Sequence, residues 1–352
     1  LIDQLDTHCQ LPSGGWHKTT NNRQAVLVVP PIILNMLSGL GIRLLVFALL
    51  VLLVFFLPRM LPGDPVEVFL ASDLSRNLTG AESAELRAQF GLAGDWPQQL
   101  GVYLWDLIRG DLGYSVPHAA PVSELLKASI PWTLLLITCA APIFLLAGAA
   151  GGIEAGKAPG AFFDRIATGA VTVVASIPPF TSAVLLLLAF GIVWPVLPSG
   201  GSEPLFPSSN PIQRDFDIAR HAVLPVLALS LHEISRFYFL ARGEAITLSQ
   251  RPFILNACGR GIKGWRLRTA YYGRSLFPVF LARMSDALTG LFGAVLFVEI
   301  VFSYPGTGHL IYNAILDRDY VLLQGAVIVM AGLVLLLNWV IDAVATSLAR
   351  RG

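Results

Sequence analysis

Apolar residues fall in long unbroken runs, not in the alternating pattern of strands or the one-sided stripe of a surface helix. The runs cover Leu37 to Leu57, Trp132 to Ile153, Thr168 to Leu197, Ala222 to Leu240, Leu276 to Phe302 and Val321 to Leu348. Each is near or above the ~20 residues that a helix needs to cross hydrocarbon. Backbone amides in lipid must be satisfied within a helix or a closed barrel, and continuous runs lack the alternation of barrel strands. The pattern therefore predicts an all-α polytopic membrane protein with about six transmembrane helices. An even number of spans puts both termini on one side of the lipid bilayer.

Composition agrees with that picture. Of 352 residues, 55% are apolar and 13% charged, roughly half the ~25% charge of a soluble domain. A net charge of +1 gives no electrostatic ground for a nucleic-acid partner. Cys9, Cys139 and Cys258 lie far apart in sequence, which supports neither a disulfide framework nor a metal site.

The distribution of charge orients the spans. Between the fourth and fifth runs stand Arg242, Arg251, Arg260, Lys263, Arg266, Arg268 and Arg274 against one acid, Glu244, whereas the 58 to 131 loop carries nine acids and five bases. Lys and Arg are retained on the cytoplasmic side, so the basic 242 to 274 loop and both termini are expected in the cytoplasm and the 58 to 131 loop outside. Residues 1 to 35 fit poorly: Val26 to Leu34 is apolar but short and broken by Pro30 and Pro31. They are expected to form a leader or cytoplasmic arm, with Met36 as a candidate start, ahead of a transmembrane domain over 36 to 352.

Three familiar patterns lack the context that gives them meaning. GGIEAGKA at Gly151 to Ala158 has Ala158 where a phosphate loop needs Ser or Thr for Mg²⁺, and it ends a membrane run instead of a strand. Gly148, Gly152, Gly156 and Gly160 recur every fourth residue, which predicts close helix packing. Gly259, Gly261 and Gly264 spell GxGxxG with no strand before them, and His232-Glu233 begins an HExxH pattern that Arg236 breaks. No Ser, His and Asp are brought together by spacing, so the sequence offers no catalytic residues.

The informative segment is RGEAITLSQRPFILNACGRGIKGWRLRTAYYGRSLFP, from Arg242 to Pro278. Topology explains its basic residues but not a glycine break followed by amphipathic Trp265, Leu267 and Tyr271. A short helix along the membrane face, near Asn256 to Arg268, would suit it. With Ala257, Gly261 and Pro278, the segment resembles the cytoplasmic loop of binding-protein-dependent ABC importer permeases. LPGDP at Leu61 to Pro65, RGDLGYS at Arg109 to Ser115 and EIVFSYPGTGHLIYNAILDRDY at Glu299 to Tyr320 are similar to blocks of the dipeptide/oligopeptide/nickel branch, in its first permease subunit.

That resemblance implies a type I permease fold in a bacterial cytoplasmic membrane and a non-enzymatic subunit that moves peptides, nickel, a metal chelate or a related small solute. It implies as partners a second permease, two ABC ATPase subunits and an extracytoplasmic solute-binding protein. No cofactor is expected on this chain, since ATP and Mg²⁺ would be held by the ATPases. Asn256, Ala257, Gly259, Gly261, Gly264, Trp265 and Arg268 become candidates for ATPase coupling. Asp106, Arg109, Asp111, Tyr304 and Asp317 become candidates for contact with the binding protein. Arg283, Asp286 and Glu299, charged within the fifth run, are candidates for the translocation path, because intramembrane charges are costly when they serve nothing. With Arg236 and Asp342 they also leave open a stand-alone secondary transporter or channel.

Overall fold

The computed structural model describes residues 31–60, 95–206 and 208–349. The leader up to residue 30 and the LPGDP block lie outside the described residues. The chain divides into two units, 1–41 and 42–352; of the first, only the beginning of helix α1, Pro31–Met60, is described.

The second unit continues with α2 (Trp96–Arg109), a two-residue antiparallel ladder pairing Tyr114 with Pro121 and Ser115 with Ala120, and α3 (Val122–Lys157). Then come α4 (Phe162–Ser176), α5 (Pro179–Leu186, continued by a π turn to Val193), α6 (Pro211–Ser249) and α7 (Pro252–Gly259). Last are α8 (Gly264–Val301), α9 (Thr307–Leu316) and α10 (Tyr320–Ala349). Helices α3, α6, α8 and α10 are each long and apolar enough to cross a membrane. Within α1, the apolar helical stretch Gly41–Leu57 covers most of the first expected span.

The third expected span is not one straight crossing. Helices α4 and α5 meet at a 101° bend. Pro178 and Pro179 follow Ile177, which is held extended at ψ 124°, because a proline ring excludes the helical conformation of the residue before it. The sequence predicted a continuous helix here because hydropathy does not register this steric effect.

Helix α6 is the axis of the bundle: 56% of its most apolar stretch is buried within the chain, against 22% for α10. The Gly148, Gly152 and Gly156 row packs on it. A Cβ at Gly152 would stand 2.5 Å from both Ala241 Cβ and Tyr238 O, and one at Gly156 2.6 Å from Arg242 O. Lipid tails are as apolar as the side chains, so association rests on such close van der Waals approach more than on burial from water. Gly160 departs from the row; at φ +77° it turns the chain into α4.

The main core gathers Leu136, Phe144, Phe237, Leu291 and Val295 from α3, α6 and α8. A second cluster closes the end of the bundle where α7 packs, and a third, between α3, α9 and α10, closes the opposite end. Arg43 of α1 pairs with Asp342 of α10, which also accepts from Ser285 of α8 at 2.8 Å.

Candidate functional site

The basic loop folds as a short helix and a turn, displaced from where the sequence placed them. Arg251 is extended and Pro252 takes the first helical position, where its missing N–H costs nothing, so α7 starts at 252. Gly261, at φ +77°, ends the segment, with Ile262 N donating back to Ala257 O at 3.0 Å. A second left-handed glycine, Gly264 at φ +65°, begins α8. Gly264, Trp265 and Arg268 therefore belong to the long helix of the fifth span, while Asn256, Ala257 and Gly259 lie on α7.

Helix α7 has two faces. Ile254 and Ala257 are buried against Ile153, Ala245, Leu267 and Leu276, where α3, α6 and α8 come together. On the other side Phe253 is 45% and Leu255 58% exposed, and Trp265 on the neighbouring turn is 77% exposed. Asn256, Gly259 and Gly261 are exposed as well. Arg268 turns inward to pair with Glu154 of α3, whose carboxylate also meets Lys157 at 3.4 Å. The GGIEAGKA letters thus lie at the end of a helix whose lysine is engaged by its own acid.

Glu233 pairs with Arg236 on α6 at 3.1 Å, and Arg283 with Asp286 on α8 at 2.5 Å. The Arg283 and Asp286 side chains remain 46% and 67% exposed on this chain.

Glu299 does not join Arg283 and Asp286, being about 20 Å further along α8 at 1.5 Å per residue. It is wholly buried, and it accepts hydrogen bonds from Thr133 Oγ1 at 2.7 Å, Gly308 N at 2.6 Å and His309 N at 3.2 Å. Its carboxylate takes up free N–H groups in the first turn of α9 and fills the space that a Cβ at Gly306 would need. In this conformation Glu299 clamps the α8–α9 hairpin. The hairpin's His309 imidazole is pushed below its ordinary pKa by burial.

Among the candidates for contact with a binding protein, Arg109, Asp111 and Asp317 are exposed and Asp106 half-buried. Arg109 lies 4.6 Å above the Trp105 ring, and Asp111 Oδ1 accepts from Gly113 N at 2.9 Å. Tyr304 is corrected: it is fully buried, edge-on to Trp132 at 5.8 Å, because the turn after α8 folds it back into the core. Burial and the nearby Glu299 push its hydroxyl pKa up.

The structure also forms links that spacing could not reveal. Asp164 of α4 takes a bidentate hydrogen bond from Arg242 of α6, at 2.6 and 2.8 Å. Ser115 Oγ donates to Asp319 Oδ2 at 2.5 Å and lies 3.2 Å from His118 Nδ1. This Ser, His and Asp set ties the ladder to the turn before α10.

Comparison with known proteins fits this arrangement. Residues 128–351 match the family described as the binding-protein-dependent transport system inner membrane component. The chain is 29% identical over 310 residues to a protein of Brucella suis biovar 1 provisionally named as a peptide permease, covering 88% of this chain and 94% of that one. It is 28% identical over 324 residues to the dipeptide transport system permease protein DppB of Escherichia coli K12, covering 87% and 94%. A matching stretch that runs from within α3 through α10, together with a short helix packed on the ends of three spans, leads to one assignment: the chain belongs to the family of inner membrane components of binding-protein-dependent ABC transport systems.

Proposed function

We propose that the chain is the permease subunit through which an ATP-driven importer passes small peptides across a bacterial inner membrane, with both termini in the cytoplasm. It works with a second permease, two ATPase subunits and an external solute-binding protein. ATP and Mg²⁺ belong to the ATPases, and this chain binds neither. Peptides are the cargo because the named relatives are peptide and dipeptide permeases over nearly their whole length.

The observation that carries the reading is the two-faced packing of α7. A helix anchored by Ile254 and Ala257 and presenting Phe253 and Leu255 outward is suited to lie in a groove of a cytoplasmic partner. Asn256, Gly259 and Gly261 share that exposed surface with Trp265, while Arg268 holds the start of α8 to α3 through Glu154. When the ATPases close, motion of α7 would pass to α3, α6 and α8 together, since packed interfaces shift as rigid bodies between discrete arrangements. Arg283 and Asp286, too costly to leave facing lipid, line the path between the two permeases. Asp106, Arg109, Asp111 and Asp317 meet the binding protein on the opposite side.

The test is purification of the tagged chain from its native host followed by uptake assays in proteoliposomes. Two co-purifying ATPase subunits and ATP-dependent entry of a dipeptide are expected. A lone oligomer that moves solute without ATP would overturn the reading.

A further inference from the structure

Two cavities flank α6 near the middle of the bundle and share His232. One, of about 260 Å³, has an apolar wall including Ile177 and Leu186. The other, of about 330 Å³, lies between the start of α5, α6 and α8, with Phe180, Glu233, Arg236, Gly290, Gly293 and Phe297 among its lining residues. The second has the chemistry of a binding site. Glu233 lines it with a side chain only 5% exposed, one oxygen bonded to Arg236 and the other, Oε2, buried with no hydrogen-bond partner. A buried carboxylate oxygen without a donor is costly, and evolution tolerates such an atom where a ligand supplies what is missing.

The surroundings define what that ligand is. Arg236 bonds Glu233 through Nη1 while its side chain stays 44% exposed, so a fork of guanidinium donors is presented beside the free carboxylate oxygen. Glu233 and Arg236 balance each other, so a solute with net charge would leave an uncompensated charge at depth, whereas a zwitterion would not. Glycines keep the site open: a Cβ at Gly290 would stand 3.4 Å from Arg236 Nη1, and one at Gly293 would meet nothing within 4 Å. The volume falls at the small end of ligand pockets, roughly 300–1,000 Å³, which suits a dipeptide.

We propose that this cavity is a solute-binding station on the permeation path, where Glu233 Oε2 receives the ammonium group of a zwitterionic peptide and the guanidinium of Arg236 receives its carboxylate. The inference rests on the peptide-import reading and gives that reading a site. Glu233 and Arg236 supply the two ends of the recognition, and the three-residue separation on α6 puts both on one helical face.

The test uses the full transporter in proteoliposomes, with radiolabelled Ala-Ala as probe and the binding protein saturating. Wild-type uptake is measured first; a complex that assembles but never carries Ala-Ala refutes the peptide reading, and the station with it. Given wild-type uptake, Glu233→Gln is expected to lower the rate at least tenfold, Glu233→Asp to retain a third or more, and Gly293→Leu, which projects into open space, to lower it at least fivefold. Receptor-stimulated ATP hydrolysis should persist in all three. Normal uptake by either Glu233→Gln or Gly293→Leu overturns the station. If Glu233→Gln fails to assemble, Gly293→Leu decides alone, loss supporting the station and normal uptake refuting it.

Discussion

The carboxylate of Asp164 accepts hydrogen bonds from both Nε and Nη2 of Arg242, at 2.6 and 2.8 Å, and so joins α4 to α6 at one end of the bundle. Asp164 also accepts from Gly160 N at 2.8 Å and from Thr168 Oγ1 at 3.1 Å. A carboxylate with this many donors is fixed in place, and the turn that leads out of α3 is fixed with it.

Removing one partner of this pair should therefore cost more than removing both. Breaking a buried pair typically costs about 3–5 kcal/mol, because the remaining charge is left uncompensated. Asp164→Ala should lower the thermal aggregation midpoint of the detergent-solubilised complex by several degrees, and Asp164→Ala with Arg242→Ala should recover part of the loss. Equal midpoints for the single variant and the wild type would show that the pair contributes nothing.

Neighbouring residues on α7 should behave oppositely. Ile254 is 2% exposed and Leu255 58%. Leu255→Glu should leave a fully inserted, assembled permease whose partners hydrolyse ATP without uptake, with transport below a tenth of wild type. Ile254→Glu should instead prevent accumulation of the protein, since a carboxylate would be buried among Ile153, Ala245 and Leu276. Normal transport by Leu255→Glu would remove the coupling assignment of this face.

At the Arg283–Asp286 pair, exchanging the charges keeps an i,i+3 ion pair on the helix. The variant carrying Arg283→Asp and Asp286→Arg should assemble normally yet lose dipeptide uptake, because the order of charge along the path is reversed. Retained uptake with unchanged substrate preference would make the pair a purely structural lock.

Sidedness can be read with thiols. Native Cys258 is exposed at the end of α7, and Asp317 is exposed beyond α9. In intact spheroplasts a membrane-impermeant maleimide should label Asp317→Cys and spare Cys258; inverted vesicles should give the reverse. The opposite pattern would invert the topology.

The amino-acid sequence by itself determined the class of protein and the positions of its apolar helices. Transfer of a side chain into lipid is a local quantity, so runs such as Val321 to Leu348 become helices such as Tyr320–Ala349 whatever surrounds them. Its glycine row and basic loop were legible for the same reason: small residues at a helical period and cations kept from crossing are both features of a short stretch of chain. Tertiary structure decided the rest. The partner of Asp164 stands 78 positions away. Glu299 and Arg283 look alike in sequence as charges within one apolar run, yet one is enclosed by Thr133, Gly308 and His309 and the other is half exposed. Tyr304, in a loop that reads as external, is folded into the core. The energy of a charge or an aromatic ring in a membrane protein is set by the groups that surround it, and those arrive from distant helices.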